Sequence, residues 1–543
     1  MTTVYRNGRF FVGEAESQTP NGPFSACMVV TNDLIEHIGG EPDLIVTQAI
    51  ENGASVSDMQ GRVVIPGFID GHMHFLLLGL ALRKIDLGTC KNMDDISAKI
   101  KSYAKANPSL PRILCHGWEQ PTTSGMALAS MLDPIDERPI FIDAKDLHST
   151  WCNTAALNEL NVESMEDPIG GKIHRDEHGR PSGLLSEAAA VTLVWPHVAR
   201  VTPLEDRIEA LREAGRIYTH AGYTGMVEMA MDENAWAGLQ LLRSRESLPF
   251  RVAAHWLISP SDDENVTLKQ VDRAIELHEK FNADTSPALR ITGIKIICDG
   301  VVDACTAALT QPYSSNGVSC SPLWTPKMLA PVVQKADSAG LQCALHAIGD
   351  AAIKNAIDVL ESFGTPGRRH RIEHLELTSP EDAKRLGKAG ITASVQPVHS
   401  DPAILRAWPK LLGETRCKRA FAYKKFLDEG AVLALGSDAP TAPHAPLSNL
   451  YCATTRRSAR EPESLATTNE QYALPLATAL AAATEGAAYS CFADAWTGRL
   501  RPGLKADFAV VNMSWTSEDL LKAQVCQTWF EGRKVYDRDD EEH

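Results

Sequence analysis

The sequence predicts an α/β protein whose main domain is a (β/α)8 barrel. Three observations predict this class. Eight apolar stretches recur along the chain, and most of them are followed by a stretch with helical periodicity. Several are continuous runs of Val, Ile, Leu and Ala, which is typical of parallel strands buried on both faces. Both chain ends instead carry short strand-like pieces broken by Gly, Pro and Asn, which predicts a separate small β domain.

The small β domain is expected to be a β-sandwich that combines residues 1–64 with residues 491–543. Its strand-like runs lie at 3–5, 26–30, 35–38, 507–511 and 527–536. Neither end alone has enough strands for a stable sheet, so we expect the two ends to meet. Residues 539–543 form a charged tail that is expected to be frayed.

The barrel is expected to occupy residues 65–490, because α/β barrels reach this length when they carry insertions. Its strands are predicted near residues 63–74, 222–230, 250–259, 291–298, 341–347, 370–376, 391–397 and 431–438. The interval from about 85 to 215 is too long for a simple crossover connection. It contains further strand-like runs, at 112–118 and 139–144. We interpret this interval as an insertion after the first barrel strand, lying over the barrel mouth.

Six potential metal ligands each lie where an apolar run ends: His72, His74, Lys295, His346, His374 and Asp438. Residues two apart in a strand point to the same face, so His72 and His74 can bind one ion together. Imidazole is the commonest metal ligand, and a carboxylate adds charge neutralisation. A single histidine is more often a core or surface residue, but six compatible residues in this context favour a metal site. The set predicts a metal-dependent hydrolase in which two divalent ions activate water.

Several motifs carry a resemblance to a known family. They include Pro-Gly-Phe-Ile-Asp-Gly-His-Met-His at 66–74, Gly-Trp-Glu-Gln at 117–120 and Arg-Ile-Glu-His at 371–374. Further motifs lie at 293–300, 346–350, 436–440 and 498–507. With these motifs the chain resembles the amidohydrolase superfamily, a group of metal-dependent TIM-barrel hydrolases. Within it, the chain is similar to the amidohydrolase family 3 branch that includes N-substituted formamide deformylase.

The resemblance gives Lys295 a specific role. A lysine at the end of the fourth barrel strand is often carboxylated in this superfamily, and the carbamate then bridges two metal ions. The strand count puts Lys295 in that place. The alternative is a lysine paired with Asp299 or Asp303, in which case the site holds one metal ion only.

The ligand set also predicts a mechanism. One ion would be held by the His-x-His pair and Asp438, the other by His346 and His374, with carboxylated Lys295 bridging them. A hydroxide between the ions would attack the substrate carbonyl, and one ion would act as Lewis acid. Asp438 would take the proton from the attacking water and pass it to the leaving amine. Zinc is the expected metal, although manganese, iron or cobalt would fit nearly as well.

Five further residues are candidates for binding substrate: Trp118, His148, Asn153, Tyr313 and His399. Trp118 could form an aromatic wall or simply pack in the insertion. His148 and Asn153 could hydrogen-bond a polar group of the substrate, although they are equally compatible with a structural cap. Tyr313 could polarise a carbonyl, and His399 lies just past the seventh strand, facing the same mouth.

Two acidic residues beside the ligands are open to interpretation. Asp350, four residues after His346, could orient a ligand histidine or begin a helix. Glu373 precedes His374 and is expected to face the other side of its strand, in a structural role. The sequence also departs from the branch pattern at 301–308, at Leu147 and at 484–488. These departures alter loops near the pocket, so formamides need not be the substrates.

Composition excludes some partners. The formal net charge of −16 at pH 7 argues against nucleic acid and anionic membranes. The 12 cysteines are scattered, which is typical of reduced thiols in an intracellular protein. The N-terminus lacks the apolar core of a secretory signal, and no apolar run reaches the roughly 18 residues of a membrane span. We therefore expect a cytoplasmic protein that acts on a small molecule, and the resemblance is compatible with a homodimer.

Three functional interpretations remain open at this point. The first is a binuclear amidohydrolase that cleaves a C–N bond in an N-acyl or N-formyl amine or a related amide. The second is a mononuclear deaminase or cyclic-amide hydrolase on the same fold, in which Lys295 is not carboxylated. The third is a non-catalytic binding or regulatory protein, which would be expected to have lost ligands that this chain retains.

Overall fold

The structure is a computed structural model that describes residues 1–13, 22–145 and 147–541. Twenty-two strands occur in this part of the chain. In order they are β1 Thr2–Phe11, β2 Phe24–Thr31, β3 Leu34–Gly39, β4 Ser55–Asp58, β5 Val63–Pro66, β6 Phe68–Met73, β7 Ile85–Asp86, β8 Ile113–Trp118, β9 Ile140–Ala144, β10 Ser149–Cys152, β11 Gly171–Arg175, β12 Pro181–Glu187, β13 Tyr223–Met231, β14 Arg251–Leu257, β15 Leu289–Ile297, β16 Gln342–Ala347, β17 Arg371–His374, β18 Thr392–Val395, β19 Leu433–Leu435, β20 Phe508–Asn512, β21 Gln524–Phe530 and β22 Arg533–Asp537.

Nineteen α-helices occur in the same described residues. They are α1 Leu44–Glu51, α2 Phe75–Leu82, α3 Met93–Ala106, α4 Ala129–Leu132, α5 Thr154–Leu160, α6 Trp195–Val201, α7 Leu204–His220, α8 Glu233–Arg245, α9 Glu264–Lys280, α10 Pro326–Ser338, α11 Asp350–Phe363, α12 Pro380–Ala389, α13 Trp408–Leu412, α14 Glu414–Cys417, α15 Tyr423–Asp428, α16 Pro446–Thr455, α17 Leu476–Ala481, α18 Ala487–Ser490 and α19 Arg538–Glu541. None of the described helices is long and apolar enough to span a membrane.

Eight parallel strands form a nearly closed barrel, as the sequence predicts. Their spatial order is β6, β13, β14, β15, β16, β17, β18 and β19, which is also their order along the chain. The first and last strands of this order, β6 and β19, approach each other where Asp438 N donates to His72 O at 2.7 Å. The buried carboxylate of Asp70 strengthens this closure by accepting hydrogen bonds from Ser437 N at 2.8 Å and Ser437 Oγ at 2.6 Å. Because the strands are parallel, their carboxyl ends all open at one mouth of the barrel.

Close packing in the barrel wall makes one glycine difficult to replace. A Cβ atom on Gly293 in β15 would lie 2.1 Å from Gln342 O of the neighbouring strand, and neither backbone can move freely. We expect Gly293→Ala to lower the free energy of unfolding by about 1–3 kcal/mol, measured by urea denaturation. Gly225→Ala is the matched control, because a Cβ on this β13 glycine would meet its nearest atom at 3.4 Å. Equal stability of the two variants would contradict this account of the barrel wall.

Both chain ends contribute to a second sheet of eight strands. Its order is β22, β21, β20, β5, β1, β2 and β3, and β4 pairs separately with β1. The two ends join where β20 runs antiparallel to β5, with Ala509 opposite Ile65. The sequence predicts this union of both ends. That the sheet is a sandwich, with domain boundaries at 64 and 491, stays a prediction.

The end of the chain differs from the predicted frayed tail. Residues Arg538–Glu541 form the short helix α19, while residues 542 and 543 lie outside the described part. Asp537 supports the start of this helix by accepting a hydrogen bond from Asp539 N at 3.1 Å. A local carboxylate–backbone contact of this kind offsets part of the entropy of ordering a charged terminus.

The segment between β6 and β13 contains a third sheet. Its six strands have the order β11, β12, β10, β9, β8 and β7, and they lie within the interval predicted as an insertion. The sheet has its own apolar core, in which Ile96, Ile113 and Ile140 are fully buried. Residues that follow β12 reach the barrel mouth and line the cavity described below.

Candidate metal centre

The six predicted ligands all line one cavity of about 290 Å³ at the barrel mouth. His72 lies in β6 and His74 directly after it, while Lys295, His346 and His374 lie at or near the ends of β15, β16 and β17. Asp438 follows β19 by three residues. Each side chain therefore comes from the carboxyl end of a barrel strand, where sequence analysis places it. The apolar strands bury the backbone and leave these polar groups as the lining of the cavity.

Asp438 lies at the centre of the group. Its Oδ1 atom is 3.1 Å from Nε2 of His74 and 3.4 Å from Nε2 of His72. The ring centres of His72 and His374 are 5.0 Å apart, and those of His346 and His374 are 4.4 Å apart. One donor atom from each of His72, His374 and Asp438 falls within 4.8 Å of the others. This spacing suits donor atoms that surround a shared ion.

The buried Oδ1 atom of Asp438 provides a test of whether a metal fits. It has no hydrogen-bond partner among the residues that the structure describes, although Nε2 of His74 and Nε2 of His72 lie 3.1 Å and 3.4 Å from it. A buried polar atom without a partner costs free energy, and such atoms are rare in native proteins. A carboxylate oxygen that faces two imidazole nitrogens without a hydrogen bond is explained if a divalent cation accepts their lone pairs. The residues present therefore fit the metal that sequence analysis predicts.

The backbone is strained at two of the ligands. His374 has φ of 74° and Asp438 has φ of 59°, in the left-handed region that non-glycine residues rarely adopt. Such conformations cost of the order of 1–3 kcal/mol and occur mainly at functional sites. At both positions the strain accompanies a side chain that reaches the cavity.

Electrostatics favour the ligand forms of these side chains. Burial, together with the nearby charge of Lys295, lowers the pKa of His72 to about 4. Burial also lowers the pKa values of His346 and His374, so their imidazoles are neutral at pH 7. Burial opposes ionisation of Asp438, but the neighbouring histidines hold its pKa well below the ordinary value. Neutral imidazole and ionised carboxylate are the forms that bind a cation.

Lys295 lies inside the same group. It is buried, and burial lowers its pKa although the carboxylates of Glu373 and Asp438 oppose this effect. The two carboxylates considered as alternative partners are engaged elsewhere. Asp299 accepts backbone hydrogen bonds from Ala308, Ile348 and Gly349 at 2.8–3.0 Å. Asp303 accepts a side-chain hydrogen bond from Nε1 of Trp408 at 3.2 Å.

Glu373 corrects one expectation from the sequence. It does not face away from the site: its Oε2 lies 2.6 Å from Nδ1 of His72, and both side chains are buried. Strand alternation ends at His374, where the backbone turns left-handed, so two consecutive residues reach the centre. Arg371 completes the arrangement by donating from Nε to Oε1 of Glu373 at 2.5 Å. A carboxylate behind a metal-binding histidine fixes its tautomer and orientation.

Glu373→Gln is expected to weaken metal binding about 10- to 100-fold, because the amide cannot hold His72 in one tautomer as the carboxylate does. Competitive titration of the metal-free protein with zinc and a chromophoric chelator measures this change. Glu361→Gln is a suitable control, since Glu361 lies on the barrel exterior in an exposed ion pair with Arg385. Unchanged zinc affinity in Glu373→Gln would show that the carboxylate plays no part in the centre.

Glu228 is another carboxylate near the ligands, and sequence analysis did not identify it. It lies in β13, accepts a hydrogen bond from Phe75 N, and its Oε1 is 4.0 Å from Nδ1 of His74. Burial raises its pKa to about 7. A glutamate within an otherwise apolar strand is the signal in the sequence that could have identified it.

Two of the five predicted substrate-binding residues line the cavity. His148 comes from the insertion, and its Nδ1 lies 2.7 Å from Oε2 of Glu187. His399 follows β18; its Nε2 is 3.6 Å from Oδ2 of Asp438, and its ring stacks on His374 at 5.8 Å. The Nδ1 atom of His399 faces Glu376, with Oε1 at 3.5 Å. Both histidines can therefore contact a molecule bound beside the six ligands.

The other three predicted substrate-binding residues do not line the cavity, which corrects the prediction for them. Trp118 packs in the core of the insertion against Trp151, with ring centres 5.2 Å apart. Asn153 caps α5 by accepting from Ala156 N at 2.9 Å, which is its structural alternative. Tyr313 is buried and donates to Ala307 O at 3.2 Å. Asn153 and Tyr313 are thus engaged by backbone partners, whereas Trp118 is held by packing and its Nε1 has no hydrogen-bond partner in the described part of the chain.

Asp350 does not orient a ligand histidine. Its carboxylate accepts from Thr310 N at 2.8 Å and pairs with Arg419 at 2.7 Å, which joins α11 to neighbouring loops. Asp299 is instead the carboxylate nearest to His346 in the described residues, with its Oδ1 3.6 Å from Nε2 of that histidine.

Comparisons with known proteins identify similar sequences and a similar fold. Protein LONG AFTER FAR-RED 3 of Arabidopsis thaliana is 30% identical to this chain over 552 residues, covering 98% of this chain and 91% of that protein. N-substituted formamide deformylase of Arthrobacter pascens is 22% identical over 537 residues, covering 94% and 95%. The crystal structure of a metal-dependent hydrolase from Pyrococcus horikoshii OT3 has a similar fold, with a TM-score of 0.78 and 24% identity, covering 95% of this chain and 99% of that one.

A family model extends these similarities over most of the sequence. The model described as the amidohydrolase family matches residues 55–536, which include the barrel, the insertion and all six candidate ligands. The motifs that suggested the resemblance lie within this match. The chain belongs to the amidohydrolase family.

Proposed function

We propose that this protein is a metal-dependent hydrolase that cleaves an amide-type C–N bond of an N-acyl or N-formyl amine or a related small molecule. The observation that carries the proposal is the convergence of six ligand-type side chains on one cavity, where the buried Oδ1 of Asp438 faces Nε2 of His72 and Nε2 of His74 and has no hydrogen-bond partner in the described residues. Membership of the amidohydrolase family supports the same reaction class.

The ligand assignment proposed for this site is that of a binuclear centre. His72, His74 and Asp438 would hold one divalent ion and His346 and His374 the other, with carboxylated Lys295 between them. When bound, the ions, which we propose to be zinc, would lower the pKa of water and polarise the substrate carbonyl. Burial favours the neutral amine of Lys295, which is the form that reacts with carbon dioxide.

Asp438 is the residue best placed to move protons. One of its oxygens faces His72 and His74, and the other lies 3.6 Å from His399, on the side of the open cavity. In amide hydrolysis, water adds to the carbonyl carbon, the C–N bond breaks, and the departing nitrogen must gain a proton. Asp438 would accept the proton from the attacking water and deliver it to that nitrogen. The products are a carboxylic acid and an amine.

A mononuclear deaminase or cyclic-amide hydrolase on the same fold is the second candidate. The geometry that favours it is the compact group of His72, His374 and Asp438, which could bind a single ion without Lys295. Such an enzyme would release ammonia, or open a ring, where the first candidate releases a substituted amine.

The experiment that separates these candidates compares chelator-treated protein with protein reconstituted with zinc. Both are assayed against N-formyl and N-acyl amines, cyclic amides and amino-substituted heterocycles. The proposal expects release of a primary amine and a carboxylic acid by the zinc-loaded protein only. Ammonia release or ring opening without cleavage of any N-acyl amine would favour the second candidate. No turnover of any substrate by the zinc-loaded protein would contradict both.

A further inference from the structure

We propose that Arg460 binds an anionic group of the substrate, and that the natural substrate is an amide that carries both a carboxylate and a bulky apolar group. This inference rests on the proposed hydrolysis of amides and adds the class of substrate. It depends on three features of the cavity: its apolar walls, the engagement of its carboxylates, and one arginine with an unengaged guanidinium.

Apolar side chains from several elements form most of the cavity wall. They come from α2, from the segment that follows β12, from the end of β14 and from the loop after β18, and include Leu76, Leu80, Val191, Trp195, Leu257 and Leu405. A cavity of about 290 Å³ with such walls is large for a formyl group alone. Burial of an apolar substituent against these side chains would contribute binding free energy in proportion to its area.

The carboxylates that line the cavity outside the ligand set already have partners. Glu187 accepts from Thr306 Oγ1 at 2.7 Å and lies 2.7 Å from His148. Asp232 caps α8 through Ala235 N at 2.8 Å. Glu228, Asp303 and Glu376 are engaged by Phe75 N, Trp408 and His399 as described above. A cationic substrate group would have to displace one of these partners, so the lining does not favour a cation.

Arg460 is exposed and differs from the carboxylates of the lining. Its guanidinium forms no hydrogen bond or ion pair with any residue in the described ranges, although its backbone is held firmly. Arg460 N donates to Asp401 Oδ2 at 3.3 Å and to Ser458 Oγ at 3.2 Å. Ala459 N donates to the same oxygen of Asp401 at 3.0 Å, and both Asp401 and Ser458 are buried. The chain therefore fixes the position of Arg460 and leaves its side chain available.

The position of Arg460 relates its charge to the reaction centre. The residue lines the same cavity as the six ligands, and its backbone is hydrogen-bonded to Asp401, which lies two residues after His399. His399 in turn lies 3.6 Å from Asp438. A substrate whose amide bond lies beside Asp438 could thus extend past His399 and place an anionic group at the guanidinium. Arginine suits this role because its planar donors bind a carboxylate through two parallel hydrogen bonds.

A pair of substrates that differ only in charge tests this inference. N-(4-phenylbutanoyl)glycine carries the apolar group and the carboxylate, whereas N-(4-phenylbutanoyl)glycinamide has a neutral amide in place of the carboxylate. We expect Arg460→Ala to lower kcat/KM for the glycine compound about tenfold, through KM, and to change that of the glycinamide less than about twofold. Arg460→Lys should recover part of the loss, since it keeps the charge without the planar fork.

Arg406→Ala is the matched control. It removes the same charge from a nearby position, because Arg406 pairs with Glu461, the residue next to Arg460. Both arginines are exposed, but Arg406 does not line the cavity. This variant should hydrolyse both compounds as the wild type does. Equal loss on both substrates in Arg460→Ala, or an equal loss on the glycine compound in Arg406→Ala, would overturn the inference.

A binding measurement keeps the inference separate from the proposed reaction. Calorimetric titration of the zinc-loaded protein with the two compounds does not require turnover, so it applies even if neither is hydrolysed. Tighter binding of the glycine compound that Arg460→Ala abolishes would support the anion site, even where hydrolysis fails. Equal affinity of wild type and Arg460→Ala for the glycine compound would overturn the site, whether or not the protein is an amidase.

Discussion

Replacing Asp438 with asparagine is expected to lower kcat for amide hydrolysis about a thousandfold or more, because general acid–base groups contribute on the order of 10²–10⁴. The asparagine keeps the shape of the side chain but cannot accept and release a proton. It also lacks the negative charge that lies between His72 and His74. The measurement is kcat with the best N-acyl amine from the substrate panel, alongside zinc content by elemental analysis.

Asp494→Asn provides the control for the loss of an aspartate charge. Asp494 pairs with Arg369 at 2.7 Å, away from the cavity lining, so this variant should retain wild-type kcat. Circular dichroism should show that both variants are folded. A kcat of Asp438→Asn within about tenfold of wild type would exclude Asp438 as the proton carrier.

The second large effect is expected on stability. Arg371→Met should lower the free energy of unfolding by about 3–5 kcal/mol, because it leaves the buried carboxylate of Glu373 without its cationic partner. Arg371 is fully buried and also connects β17 with neighbouring elements through hydrogen bonds. Its further acceptors are Gly71 O, Ser394 Oγ and Ser490 Oγ. Urea denaturation of the metal-free protein measures the change without a contribution from metal binding.

Arg385→Met is the control variant, because it removes arginine ion pairs that lie outside the buried site. Arg385 pairs with Asp358, Glu361 and Asp382 on the outside of the barrel, where its side chain is 28% exposed. Exposed pairs contribute up to about 1 kcal/mol each and are screened by salt. If Arg371→Met is no more destabilising than Arg385→Met, the buried pair does not have the structural role assigned to it.

The barrel strands could be predicted from the sequence because parallel strands are buried on both faces and therefore appear as continuous apolar runs. The first of these runs shows the limit of that argument. Residues 63–74 contain two strands, β5 in the sheet of the chain ends and β6 in the barrel. Both strands are fully buried, and apolar residues continue from β5 into the start of β6, so hydrophobicity alone does not separate them. Only the partner strands in the folded structure distinguish them.

The ligands could be predicted because each belongs to a short local pattern at a strand end. The carboxylates around them could not be predicted in the same way. Glu373 contacts His72 across 301 residues of sequence, and the left-handed backbone that breaks strand alternation comes directly after it, at His374. The assignment of Trp118 to the cavity failed for a related reason. The orientation of the insertion determines which of its residues reach the cavity, and no local pattern encodes that orientation.

We propose that Lys295 joins two metal ions in one hydrolytic centre. The decisive measurement is the metal content per chain of wild type and Lys295→Ala, each purified and reconstituted with zinc in the presence and absence of bicarbonate. We expect two ions per chain in wild type with bicarbonate, and fewer in Lys295→Ala whether or not bicarbonate is added. One ion per chain, unaffected by bicarbonate or by the substitution, would contradict the bridged centre. No bound metal after reconstitution would contradict the proposal that the protein is a metal-dependent hydrolase.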